Sequence, residues 1–330
     1  MTTAVSMDAV DRRLLNQLQS DFPLEPRPFA VIGGRLGIGE GEVLERAGRL
    51  REAGVIRHLG AIFDVYRVGY RSTLVAFVVP PERLNQAAAV VSAHPGVSHN
   101  YGRDHRFNLW FVIAVPRSSD LEAVIGDLAE RAGAEKYNIL PALKLYKIDV
   151  EFDMVGGGGN RGERAQRQKG PRRDLTAEEV ALVRVLQEQL PLVERPFAEE
   201  AASLGLSEEE LLARARALQD EGIMRRFAGV LRHRAAGFTA NGMVCWIVPE
   251  ERLDELGPKF SSYPQVSHCY LRPVFPPDWP YNVFTMIHAQ TREDCERTTK
   301  RIEADVGISD YAILYSHTEY KKERVKYFVG

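Results

Sequence analysis

The chain of 330 residues is about twice the usual ~100–200 of one domain, and its 45% hydrophobic and 27% charged content is that of an ordinary globular protein, which excludes a small lone module and wholesale disorder. With 43 Lys and Arg against 45 Asp and Glu the formal net charge is -2, so nothing draws the whole molecule to nucleic acid or to an anionic membrane. Cys245, Cys269 and Cys295 stand singly, which excludes a disulfide framework and a cysteine-rich metal site; with no apolar run near the ~20 residues of a membrane span and no signal-type core in MTTAVSMDAVDRRLL, the expected compartment is the reducing cytoplasm.

Along the chain, DRRLLNQLQSDFP reads as an amphipathic first helix stopped near proline, and PFAVIGGRLG as a second. LGIGEGEVLERAGRLREAGVIR then supplies a glycine turn, an N-cap region, a third helix and a glycine C-cap. Three helices with a short glycine-containing turn predict a helix-turn-helix head over 7–65. An apolar strand from Thr73 to Val79 follows, then a helix after the prolines, two strands broken by a loop, another helix and a last strand. This βαββαβ order predicts a ferredoxin-like body over 66–153, with two helices on one face of an antiparallel sheet. MVGGGGNRGERAQRQKGPRRD combines consecutive glycines with a basic tract free of apolar anchors, and predicts a flexible linker over 154–174.

Beyond the linker the sequence repeats itself. PLEPRPFA, from Pro23, returns as PLVERPFA from Pro191, and the same displacement carries Gly37 to Gly205, Gly54 to Gly222 and Gly69 to Gly237. Farther on, VVPPERL returns as IVPEERL, HPGVSHNYGR as YPQVSHCYLR, EKYNIL as SDYAIL, and Tyr146-Lys147 as Tyr320-Lys321. The period is far too long for a solenoid, so the chain is a duplicated domain. A second head is expected over 175–233 and a second body over 234–330, its first strand running from Met243 to Val248. The expected fold class is α+β: two copies of a degenerate, winged-helix-like helix-turn-helix and a ferredoxin-like body, packed as an internal pseudo-dimer through their sheets.

A helix-turn-helix joined to a βαββαβ body resembles the Lrp/AsnC regulators, and the Gly, Leu, Arg and GVI positions of LGIGEGEVLERAGRLREAGVIR carry the likeness. The departures count for more. The presumed recognition helix of the second half opens SEEEL, with Glu208, Glu209 and Glu210, and that of the first holds Glu40 and Glu42 among glycines. Carboxylates there suit the helix dipole but repel phosphate, and neither copy offers the Arg, Lys, Asn or Gln that read base edges. No specific DNA binding is expected.

The rest of the chain is similar to a narrower branch, the siroheme decarboxylases of haem d1 and alternative haem biosynthesis. RHLGAIFDVYRVGY and RRFAGVLRHRAAGF carry this likeness, with VSHNYGR and FNLWFVIAV, VSHCYLR and YNVFTMIHA, and the ends LPALKLYKIDVEF and YSHTEYKKERVKYF. The resemblance implies a fusion of Nir D-type and Nir L-type subunits, related to the Ahb-type enzymes, with separate Nir G-type and Nir H-type subunits as further potential partners. It implies removal of carbon dioxide from two acetates of siroheme to give 12,18-didecarboxysiroheme. No added cofactor is then required, because the macrocycle accepts electron density as the carbon–carbon bond breaks and the iron belongs to the substrate.

In VSHNYGR, His99, Tyr101 and Arg103 lie at i, i+2 and i+4, so on a strand they project from one face across roughly 13 Å. His268, Tyr270 and Arg272 repeat the spacing although Asn100 became Cys269 and Gly102 became Leu271. A trio kept only to hydrogen-bond the next strand would also survive duplication. For a substrate rich in carboxylates the trio is apt: arginine forks a carboxylate, histidine donates a proton or ligates the substrate iron, and tyrosine orients the acid group. Lys144, Lys147, Lys321 and Lys322 are candidate carboxylate clamps, or solvated lysines of an edge strand. His317 is peculiar to the second half. The loop after the first motif is the short DHR; that after the second is PVFPPDWP, with Phe275 and Trp279, which suits either a lid over a flat ring or packing between the halves.

Two other classes remain open at this point: a ligand-responsive regulator of Lrp/AsnC type, and a haem-binding sensor without turnover.

Overall fold

The computed structural model describes residues 7–20, 22–148, 173–231, 240–289 and 291–329. The expected linker, 154–174, lies outside them apart from Arg173 and Asp174. The first half runs α1 (Ala9–Ser20), α2 (Pro28–Leu36), α3 (Glu40–Glu52), β1 (Ile56–Phe63), β2 (Tyr70–Val78), α4 (Leu84–Ala93), β3 (Val97–Arg103), β4 (Leu109–Pro116), α5 (Leu121–Ala132), β5 (Lys136–Leu140) and β6 (Lys144–Ile148). The second runs α6 (Ala177–Leu186), α7 (Ala198–Ser203), α8 (Glu208–Asp220), β7 (Met224–Leu231), β8 (Ala240–Trp246), α9 (Leu253–Ser262), β9 (Val266–Leu271), β10 (Val283–Ala289), α10 (Arg292–Val306) and β11 (Tyr311–Lys322). The compact units cut across this repeat. Both heads, Met1–Gly69 and Glu151–Gly237 with the tail Lys326–Gly330, form one unit; both bodies, Tyr70–Val150 and Phe238–Val325, form the other.

In the head unit, helical spacing places Leu14, Leu15 and Leu18 of α1, Phe29 and Ile32 of α2, and Val43 and Leu50 of α3 in the core. Gly37 and Gly205 end α2 and follow α7 with φ of 76° and 67°, a left-handed turn that glycine makes without strain. β1 pairs antiparallel with β7, and Phe22 of the first head stacks on Phe227 of the second at 5.2 Å, so the heads share one core. The acidic helix starts have local duties. Ser207 and Glu210 form a reciprocal capping box on α8, Glu208 is buried against Arg195 at 2.9 Å, Glu40 meets Arg27, and Glu42 meets Arg46 at 2.8 Å.

Among the described residues the body unit holds nine strands in the order β5-β2-β4-β3-β11-β8-β10-β9-β6. Within each half the order is ferredoxin-like, and one feature departs from the simple βαββαβ reading. The last strand of each half crosses to the other half. Tyr311–Tyr315 of β11 pairs with β8, and its continuation to Lys322 pairs with β3. In the first half the equivalent strand is interrupted after Leu140, where Pro141 has no N–H for a ladder, so β5 pairs with β2 and β6 with β9. Arg272, just after β9, reaches the carbonyl of Leu140 on β5, near the opposite end of the strand order. The sheet therefore curls until its two halves face each other.

Helices α4 and α5 cover the outer face of the first half through Val91, Ile125 and Leu128, and α9 and α10 that of the second through Leu256, Phe260 and Ile302. The inner faces share a third core, in which Ala76, Trp110 and Leu140 meet Cys245, Phe284 and Leu314. The proline-rich loop belongs to that core. Trp279 is 0% exposed and packs on Trp110 at 5.2 Å and Phe107 at 5.6 Å, while Asp278 is held by Arg106 and Lys136 of the first half. Of the two readings of PVFPPDWP, packing between the halves is the observed one. Among the described residues no helix is long and apolar enough to cross a membrane.

Candidate functional site

Each His-Tyr-Arg trio lies on the second strand of its half, β3 or β9. Tyr101 stands opposite Trp110 and Tyr270 opposite Phe284, both residues of the shared inner core, so strand alternation turns both trios to the inner face. His99 and Tyr101 have ring centroids 6.2 Å apart, His268 and Tyr270 6.1 Å. The Arg103 guanidinium lies 5.6 Å over the Tyr101 ring and that of Arg272 4.6 Å over Tyr270. Two serines belong to the site without having been singled out in the sequence. Ser98 Oγ lies 2.9 Å from His99 Nδ1 and Ser267 Oγ 2.8 Å from His268 Nδ1, so each ring is fixed by the serine beside it. The signal was available, since the triplet VSH occurs in both copies.

Burial pushes His268 down to about 3, and the charges of His288, His99, Arg272 and Lys147 push the same way. The two trios are therefore within electrostatic reach of one another. His288 of β10 is another member that sequence reading passed over. Asn241 Oδ1 sits 2.6 Å from its Nδ1, and burial, followed by the Lys322 charge, lowers it to about 4. Its counterpart in β4 is Ala114, so the only trace in the sequence is a polar residue in one copy of an otherwise apolar strand.

The arginines are tied to backbone. Arg103, 5% exposed, donates from Nη1 to the Leu314 carbonyl at 2.8 Å, and Arg272 donates to the Leu140 carbonyl. Leu140 and Leu314 are counterparts, so each arginine grips the crossing strand of the other half. Burial lowers Arg103 to about 10, opposed by Cys245 and Tyr101; among the described residues no carboxylate contributes. A desolvated guanidinium with that environment is a ready acceptor of an anion.

The lysines separate into three placements. Lys147 Nζ donates to the Tyr263 carbonyl at 3.1 Å and Lys321 Nζ to that of Ser92 at 2.8 Å, so each caps the end of the other half's first body helix, α9 or α4. Lys144 is exposed at the outer edge of β6, 2.7 Å from Asp254, away from the inner face. Lys322 stands opposite the motif histidine His99 on β3, with Glu319 at 3.9 Å. His317 is exposed and lies over Gly102, where a Cβ would come within 2.4 Å of its ring. Among the described residues no group of three or more His, Cys, Asp or Glu is arranged to hold a metal ion.

Residues 67–147 and 235–321 match the family described as AsnC-like ligand binding domain, and residues 11–57 and 179–225 match the siroheme decarboxylase NirDL-like HTH domain. A siroheme decarboxylase of Hydrogenobacter thermophilus is 41% identical over 317 residues, covering 96% of this chain and 94% of that protein. A siroheme decarboxylase alpha subunit of Nitratidesulfovibrio vulgaris is 50% identical over 148 residues, 45% of this chain and 84% of the subunit, so a separate subunit there corresponds to about half of this chain. A crystal structure of the siroheme decarboxylase NirDL with an iron-uroporphyrin III analogue superposes with a TM-score of 0.76 at 37% identity, covering 97% of this chain and 95% of that one.

Proposed function

The chain belongs to the siroheme decarboxylase family, and we propose that it removes carbon dioxide from two acetate side chains of siroheme to give 12,18-didecarboxysiroheme. The observation that carries the proposal is the pair of His-Tyr-Arg trios turned to the inner face, with His99 close enough for its charge to act on His268 of the other half.

In this reading the electron pair of the breaking carbon–carbon bond passes into the macrocycle, carbon dioxide leaves, and the new methyl carbon takes a proton. Iron arrives with the substrate, and no organic cofactor is needed. Arg103, Arg272 and Lys322 hold carboxylates, Tyr101 and Tyr270 orient the scissile group, and His99 and His268 deliver the protons. With its value lowered to about 3, His268 is neutral at pH 7. A polyanionic substrate raises the proton affinity of any imidazole beside it, so the acid is armed by the molecule that consumes its proton. Lys147 and Lys321, committed to helix ends, support the field of the site, and Lys144 takes the outermost place. Three free, buried cysteines fit a reducing compartment such as the cytoplasm.

The regulator reading loses its footing in the heads, where Glu40, Glu42, Glu208 and Glu210 are engaged in ion pairs and a cap. The test is anaerobic incubation of the purified chain with siroheme, followed by mass spectrometry of the recovered tetrapyrrole. Loss of two carbon dioxide units supports catalysis and makes Nir G-type and Nir H-type subunits dispensable. Recovery of intact siroheme from a stoichiometric complex would leave a binding protein.

A further inference from the structure

The two copies of the trio face different neighbours across the sheet. β6 runs along β9 in the same register as the end of β11 along β3: Lys144 stands opposite Leu271 and Thr318 opposite Gly102, then Leu145 opposite Tyr270 and Glu319 opposite Tyr101. A bulge follows in both strands, and Lys147 and Lys321 resume opposite Cys269 and Asn100. Leu145 and Glu319 are therefore counterparts, and each shares the inner face with the tyrosine it stands opposite. Both residues are exposed, Leu145 by 50%. Glu319 lies 3.9 Å from Lys322, which is itself opposite His99. The arginines differ in the same sense, since Arg272 is partly exposed and Arg103 only 5%.

We propose that Leu145 and Glu319 order the two decarboxylations: the acetate seated between Tyr270 and Leu145 loses its carbon dioxide first, and the acetate at Tyr101, beside Glu319, follows more slowly. The inference rests on the decarboxylase reading. At the first copy an acetate meets a carboxylate of like charge and has to share the Lys322 ammonium with it, so the seat at Tyr101 is filled for a smaller fraction of the time. At the second copy the place of that carboxylate is taken by an isobutyl group, which brings no charge and keeps water from one side of the acetate. As the carbon–carbon bond breaks, its electron pair passes into the macrocycle and the carboxylate becomes neutral carbon dioxide. Hydration withheld by the leucine therefore raises the ground state more than the transition state. Both residues act on the charge of the substrate, and the imidazoles deliver the protons at both copies.

Anaerobic single-turnover incubation with siroheme, sampled in time and read by mass spectrometry, follows the loss of the first and of the second carbon dioxide separately. The parent is expected to accumulate the singly decarboxylated intermediate. Leu145→Glu is expected to slow the first loss at least about tenfold and Glu319→Leu to speed the second by a similar factor, the rate equivalent of about 1.4 kcal/mol each. Both positions are exposed, so neither replacement disturbs a core. His268→Ala should retard the first loss more than His99→Ala does. A parent that releases no carbon dioxide removes the decarboxylase reading, and the order with it. With the parent active, any one of three results overturns the order alone: no intermediate, an unchanged rate in either folded variant at Leu145 or Glu319, or a first loss retarded more by His99→Ala than by His268→Ala. Should the histidine variants fail to fold, the two exposed replacements decide by themselves.

Discussion

Replacing Arg103 by Met keeps much of the side-chain volume and removes the guanidinium, and two opposing quantities then set the outcome. Burial lowers Arg103 from the usual guanidinium value to about 10. At about 1.4 kcal/mol per unit this is roughly 3 kcal/mol against the charged form. On the other side stands a charge-assisted hydrogen bond to the Leu314 carbonyl, worth about 1.5–3 kcal/mol. These nearly cancel, so the ligand-free stability of Arg103→Met should lie within about 1 kcal/mol of the parent in urea unfolding. Binding is different. On the proposed role of Arg103 as the cation that holds a substrate carboxylate, its removal should cost roughly 2–5 kcal/mol, a rise in Kd of about 30-fold to several thousand-fold in a spectrophotometric titration with siroheme. Arg103→Lys should fall between, because it restores charge without the planar fork. A loss of about 3 kcal/mol or more in ligand-free stability with unchanged affinity would refute this reasoning and make Arg103 a strut for β11.

Trp279→Ala should destabilise the body unit by roughly 3–5 kcal/mol in urea unfolding, because the indole is 0% exposed in the shared core; a loss below about 1 kcal/mol would contradict its role in closing the halves. His268 and His288 are held at about 3 and about 4, below the ~6.5 of an unfolded chain, so the folded state binds these protons less readily. Their contribution is complete above about pH 6.5 and is lost as pH falls from there through the folded values, and His288→Gln should flatten that slope in acid titration of the unfolding midpoint. Gly96→Ala should cost roughly 1–3 kcal/mol, since its Cβ would lie 2.2 Å from the Ala114 carbonyl oxygen; an unchanged midpoint would mean that the turn between α4 and β3 yields freely. Finally, electrophoretic shift assays with genomic fragments should show no specific complex at physiological salt, and a persistent one would revive the regulator reading.

Much of the fold was legible in the chain because it is written in local periods. Three amphipathic helices around glycine turns specified each head, period-two strands with helices between them specified each body, and the displacement from Pro23 to Pro191 identified the duplication. The i, i+2, i+4 spacing of His99, Tyr101 and Arg103 was enough to put them on one face, since alternation along a strand is a property of the strand alone.

Only the tertiary structure decided which neighbours those faces meet. Strand pairing over long sequence separation brought β11 to β3, β6 to β9, and the heads together through β1 and β7, and no local period encodes such a choice. The same pairing sorted four similar lysines, sending Lys147 and Lys321 to helix ends, Lys144 to an outer edge and Lys322 to His99. It turned a proline loop with two readings into core around Trp279, and it gave His288, a lone polar residue in an apolar strand, a partner in Asn241 and a place beside His268. A sequence states which side of a strand a residue occupies; what stands opposite is set by the closure of the whole sheet, where the free energy of burying two inner faces selects one register for all nine strands.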